Sequence, residues 1–289
     1  MLQGCTIKNA LLKGKPSMGL WQTLPGANVS RILARAGVDW VMVDCEHGNL
    51  DGKCGRSPTP LVHGYEHGEA QGDAAMHDAV PAIASCGVSP LVRLPDMAGW
   101  MIKRALDAGA HGILIPLLRT PEEAKKIVAA AKFPPQGQRG LGSPFSMERF
   151  NPIPTMTEYL QKANESLVTM VQIETQEALD AVGEIAAVPG VDVLFVGPFD
   201  LGNNIGYPIL DGIMKPELEQ AIDHILTTTH EAGKKAGFFA SSAEQAKKYA
   251  DKGFDVISAA LDTTILQSSL AVSLATARGL EKPHTGGKY

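Results

Sequence analysis

Cysteine is scarce in this chain, and the four that occur, Cys5, Cys45, Cys54 and Cys86, stand apart with no paired C-x-x-C spacing. That excludes the usual zinc frameworks and argues for reduced thiols, with Cys45 packing as a small hydrophobe. Positive charge is not in excess either. The formal net charge is −5 and no stretch gathers Lys and Arg into a stripe, which excludes a protein that binds nucleic acid by neutralising phosphates. Apolar runs fall far short of the ~18 residues of a membrane span. The N-terminus also lacks the unbroken apolar segment of a secretory signal. A soluble, cytoplasmic protein is expected, with neither nucleic acid nor membrane as partner.

What the chain does have is a rhythm. Its 289 residues fit one large α/β barrel or two smaller domains. Eight strand-like apolar runs occur, at 18–21, 40–44, 90–94, 112–116, 167–174, 191–196, 236–240 and 255–261. Helix-like patterns lie between them, at 28–36, 98–108, 121–132, 176–187, 216–232 and 243–252. Several of these end at glycine, as at Gly37, Gly109, Gly233 and Gly253, where a left-handed residue can close a helix. Thr120 followed by Pro121 and Glu123 reads as a helix start. Eight βα repeats predict a closed (β/α)8 barrel forming one domain over 1–289; an open doubly wound sheet is the alternative.

Two stretches break the rhythm. Residues 133–154 form a Gly- and Pro-rich connection carrying Arg139, Gly140, Leu141, Gly142 and Ser143, of the length at which loops are often functional. Residues 52–72 show neither period and read as an irregular insertion. His63, His67 and His77 fall in or beside it and are expected to face solvent rather than a metal.

Chemistry concentrates where strands end. Glu174 closes the apolar run that contains Gln172, and Asp200 follows the next run in Gly197, Pro198, Phe199, Asp200. A lone carboxylate at such a place serves equally as a helix cap or an ion pair. Two at successive strand ends favour a hard divalent ion such as Mg²⁺ or Mn²⁺. Gln172 and Glu174 are two apart and share a strand face. Asp44, Cys45, Glu46, His47 follow another run and supply a candidate base, His47, with Glu46 beside it.

The segments DCEHGN, LVRLP, LDAGAHGILIP, QRGLGSPFS, MVQIET and VGPFDLG, in that order, resemble the HpcH/HpaI aldolase family of metal-dependent pyruvate aldolases, from about Gly19 to Gly279 with the insertion excepted. The resemblance implies a barrel of the phosphoenolpyruvate/pyruvate superfamily, a homo-oligomer (a hexamer with an exchanged C-terminal helix), and cleavage of 4-hydroxy-2-oxo acids into a 2-oxo acid, pyruvate, and an aldehyde. It assigns Glu174 and Asp200 to a divalent metal (Mg²⁺, Mn²⁺ or Co²⁺), Gln172 and Phe199 to the substrate, and Arg93 to the keto oxygen. His47 becomes the base and Asp107 its orienting partner. An oxaloacetate decarboxylase or macrophomate synthase-like enzyme would use the same enolate, and an inactive pyruvate-binding paralogue is a further alternative.

The chain departs from the family pattern twice. Pro144, Phe145, Ser146 and Met147 follow Ser143, where heptanedioate-cleaving members tend to carry an arginine for a distal carboxylate, so a diacid substrate is not implied. The 46 positions from His47 to Arg93 shrink to about 25, the family interval, once 52–72 is removed. Codons for Gly52, Lys53, Cys54 can contain GTAAGT and Gln71 can be CAG. A retained intron is thus one reading and a genuine loop the other; a dominant mature transcript containing the stretch would exclude the intron.

Overall fold

The computed structural model describes residues 1–48 and 73–280; the irregular stretch at 52–72 lies outside the described residues. The first half runs α1 (Thr6–Leu12), β1 (Ser17–Gln22), α2 (Ala27–Ala34), β2 (Trp40–Asp44), α3 (Ala74–Ala84), β3 (Ser89–Arg93), α4 (Gly99–Asp107), β4 (Gly112–Ile115) and α5 (Pro121–Ala131). The second continues α6 (Met156–Ser166), β5 (Val168–Ile173), α7 (Gln176–Asp180), α8 (Val182–Ala186), β6 (Val193–Val196), α9 (Pro198–Asn204), α10 (Pro216–Glu231), β7 (Lys235–Phe239), α11 (Ala243–Lys252), β8 (Val256–Leu261) and α12 (Asp262–Ala277).

All eight strands are parallel and close on themselves in chain order, with β8 pairing back to β1. Each falls within two residues of its expected run, because a strand buried on both faces is written as continuous apolar sequence. The open-sheet alternative is excluded by closure. The expected helix at 176–187 is two short helices, α7 and α8, which meet at Ala181 with φ −99° and ψ 13°, outside the helical basin. Thr120 caps α5 in a capping box with Glu123, as the sequence predicts, and Gly253 ends α11 in the left-handed conformation.

Aromatic rings fill the barrel between the strands. Trp21 of β1 lies 5.9 Å from Phe195 of β6 and 5.1 Å from Phe239 of β7, centroid to centroid. The N-terminal end of the barrel is closed by α1, whose Thr6 hydroxyl donates to the Asp39 carbonyl and whose Ile7 N–H donates to Ser89 Oγ at 3.2 Å. Buried Lys132 donates to the carbonyls of Asn164 and Leu167 and pairs with Asp192, which also pairs with Lys8. That end is spent on stability, leaving the C-terminal end open for chemistry.

Candidate active site

β2 and β3 are paired in register so that Asp44 stands beside Arg93. The two side chains meet side-on: Arg93 Nε donates to Asp44 Oδ1 at 3.0 Å and Nη2 to Oδ2 at 2.6 Å. Asp44 also accepts from Trp21 Nε1 at 2.9 Å and from the backbone N–H groups of Glu46 and His47. Burial opposes ionisation of Asp44, yet the hydrogen bonds and charge of Arg93 outweigh it and hold the carboxyl below its usual range. The guanidinium is also 3.0 Å from Glu46 and stacks over Trp21 at 4.9 Å. Charge, plane and position of Arg93 are therefore fixed before any substrate arrives.

Across the opening, Gln172 near the end of β5 donates to Glu174 Oε2 at 2.5 Å, while the other Glu174 oxygen accepts from the Leu117 N–H at 2.7 Å. Burial, reinforced by the negative charges of Asp200 and Glu46 and opposed by Leu117 and Arg93, pushes Glu174 up to about 7. Such a carboxylate sits where positive charge is wanted. Gly197 makes the approach possible, since a Cβ there would lie 2.5 Å from Glu174 Oε2 and 2.6 Å from Gln172 Nε2. Pro198 starts α9 directly afterwards and places Asp200, exposed, in its first turn.

These elements surround a cavity of about 430 Å³. Arg93, Asp44, His47, Gln172 and Asp200 line one part of it, and Phe199 with Gly197 and Pro198 the adjoining wall. The rest is Trp21 and Thr23 from β1 and its following turn, Phe239, Leu261 and Thr263. Among the described residues no three His, Cys, Asp or Glu side chains cluster tightly enough to hold an ion by themselves. Asp200 lines the cavity, Glu174 is hydrogen-bonded to the lining residue Gln172, and Gln172 Oε1 is buried without a partner. That donor set of oxygens fits a hard divalent cation whose remaining positions go to water or substrate.

His47 borders the cavity with its side chain 67% exposed, Nε2 3.7 Å from Glu46 Oε1. The expectation that Asp107 orients it is not met within this chain. Asp107 ends α4, which runs back from the open end of β3 to the closed end of β4, and there it accepts from Arg139 at 2.9 Å. In a parallel barrel each helix returns to the closed end, so the C-terminus of α4 is carried away from the strand ends. The expectation that His77 faces solvent is met in part, its side chain being 41% exposed with Nε2 3.6 Å from Asp73; His63 and His67 lie outside the described residues. Two contributors escaped the sequence reading: Asp44 as the clamp on Arg93, and Trp21 as the donor and platform beneath both. Asp44 heads the DCEHGN segment, so its position at a strand end was a usable signal.

Residues 17–269 match the family model described as HpcH/HpaI aldolase/citrate lyase. A hydroxypyruvate/pyruvate aldolase from Deinococcus radiodurans is 35% identical, over 90% of this chain and 85% of its own length. A 4-hydroxy-2-oxo-heptane-1,7-dioate aldolase from Salmonella dublin is 34% identical, over 96% of each chain. The structure of macrophomate synthase superposes with a TM-score of 0.76 at 25% identity, covering 96% of this chain and 89% of that one. With the barrel, the strand-end carboxylates and the matched span in agreement, this chain belongs to the HpcH/HpaI aldolase/citrate lyase family.

Proposed function

We propose that this chain is a divalent-metal-dependent carbon–carbon lyase, a pyruvate aldolase that cleaves or forms 4-hydroxy-2-oxo acids through a pyruvate enolate. The observation that carries this reading is the fixed Arg93 guanidinium sharing one cavity with Asp200 and with Gln172, which is bonded to Glu174. It is supported by the aldolase relatives at 34–35% identity over most of the chain.

Glu174 and Asp200 are the residues that would hold the ion, Mg²⁺, Mn²⁺ or Co²⁺. Bound there, the ion supplies Lewis acidity toward a 2-oxo acid. Arg93 has five N–H groups; three contacts go to Asp44 and Glu46, which leaves donors for the keto oxygen as it gains negative charge. Fixed positive charge aimed at developing charge is usually the largest catalytic contribution. His47 takes the proton of the C4 hydroxyl, the C3–C4 bond breaks, the aldehyde leaves, and the bonding pair stays as the enolate. Protonation at C3 then gives pyruvate. Gln172 and Phe199 bound the space in which the 2-oxo acid lies.

The protein is also read as a cytoplasmic homo-oligomer, a hexamer by likeness to its family. Supporting this, α12 leaves Ile265, Leu266, Leu270 and Leu274 about half exposed. Among the described residues no helix is long and apolar enough to cross a membrane.

Exchange of the pyruvate methyl protons for deuterium, followed by NMR with each of the three ions, tests the reading without knowledge of the aldehyde. Exchange that needs the ion and is lost in Glu174→Gln is expected. No exchange with any ion would overturn the proposal.

A further inference from the structure

The cavity has a second wall, made where the closed strand order brings β8 back to β1. Trp21 and Thr23 come from one side of that seam and Leu261 and Thr263 from the other, with Phe239 of β7 alongside. In the order of the barrel these strands lie across from β4 and β5, where Glu174 is held. None of the five wall residues carries charge. A 2-oxo acid held by Arg93 on the side of Glu174 and Asp200 leaves this wall to the other reactant.

Behind the wall sits a carboxylate that the mechanism above does not use. Asp262, the first residue of α12, is 7% exposed. Its Oδ2 accepts from the backbone N–H groups of Thr23 at 2.9 Å and Leu24 at 2.8 Å, and its Oδ1 accepts from the Thr23 hydroxyl and the Thr263 N–H, both at 2.7 Å. Three donors from the turn after β1 and one from the next residue of α12 thus converge on one buried group. Hydrogen bonds to an ionised acceptor are shorter and roughly twice as strong as neutral ones, so the turn after β1 and the start of α12 are held in one relative position. The turn and the helix start each carry a threonine to the cavity rim.

Resting on the aldolase reading, we propose that Asp262 is a positioning residue for the aldehyde. It fixes Thr23 and Thr263 as a subsite for a small uncharged aldehyde, and it leaves the 2-oxo acid half of the site alone. Asp262→Asn tests this, because whichever way the amide is turned, its NH2 group faces at least one backbone N–H that it cannot accept from, Thr23 and Leu24 on one side or Thr263 on the other.

The experiment compares pyruvate deuterium exchange with steady-state aldol addition to glycolaldehyde. In Asp262→Asn the KM for glycolaldehyde should rise about tenfold, while exchange stays within about twofold of the unchanged protein. Thr23→Val, which removes the hydroxyl and with it the bond to Oδ1 but keeps the backbone bonds to Oδ2, should raise the same KM, and Thr23→Ser should restore it. An unchanged KM in Asp262→Asn, or exchange and addition falling together, would overturn the proposal. Should Asp262→Asn fail to fold, an unchanged KM in Thr23→Val overturns it and a raised one that Ser restores sustains it. Absence of exchange in the unchanged protein would instead bring down the reading of the whole site.

Discussion

Arg93 is useful because it is immobilised. A guanidinium free to rotate would meet developing negative charge only part of the time; one bonded side-on to Asp44 and stacked on Trp21 meets it always. Arg93→Lys keeps the charge and discards the planar fork, so pyruvate exchange and aldol cleavage should fall together, by about 10²-fold. Exchange surviving at near-normal rate would show that a point charge suffices. His47 has a different task. His47→Ala should depress aldol cleavage by about 10² to 10⁴-fold, the usual size of a general-base contribution. Oxaloacetate decarboxylation, which removes no hydroxyl proton, should be spared. Equal loss of both reactions would refute the division of labour and assign His47 to binding.

At the scale of elements, the two barrel ends have opposite relations to charge. The open end gathers Glu46, Glu174 and Asp200 near Arg93 and leaves their fields partly unbalanced. The closed end neutralises what it buries. His111, before β4, accepts from Ser89 Oγ at Nδ1 and donates from Nε2 to the Arg149 carbonyl at 2.8 Å, the tautomer that those partners require, with its ring stacked on Phe150. Burial pushes it from the usual 6.5 down to about 4. As pH falls below 6.5 the unfolded chain takes up a proton that the folded chain refuses. The stabilisation from neutral His111 is complete above that pH and lost toward pH 4, amounting to roughly 3 kcal/mol. Urea unfolding of the protein and of His111→Gln at a series of pH values checks this. The difference in stability between the two should shrink by that amount from pH 7 to pH 4, and a constant difference would mean that the histidine takes up its proton equally readily in the folded and unfolded chains.

At the scale of the whole molecule, what could be read in the sequence follows from where each signal lives. The eight strands were legible because each is a buried apolar run between turns, and the residues at strand ends were legible because a parallel barrel sends all of those ends to one face. Asp107 does not stand beside His47 within this chain, because it ends a helix that returns to the closed end. Helix α6 announced itself by a capping box, Thr155 with Glu158, overlooked beside the Gly- and Pro-rich stretch that precedes it. Helix α12 was invisible for a better reason: apolar residues occur all around it, so it lacks the period of a helix packed on one side.

That same composition asks for a cover. Leu266, Leu270 and Leu274 follow one another at intervals of four, a continuous stripe down α12, each about half exposed, with Ile265 beside them. Leucines in a contiguous row left in water forfeit roughly 1.5–3 kcal/mol each relative to burial, and patches of this kind mark association surfaces. If copies of this chain meet through α12, placing a carboxylate in the middle of the stripe should separate them, since burying an unpaired charge costs far more than the leucine contributed. Leu270→Asp is therefore expected to lower the mass measured by light scattering toward that of a single chain. Its far-ultraviolet circular dichroism should be unchanged, because the residue faces outward and the barrel does not rest on it. An unaltered mass would show that any assembly uses another surface.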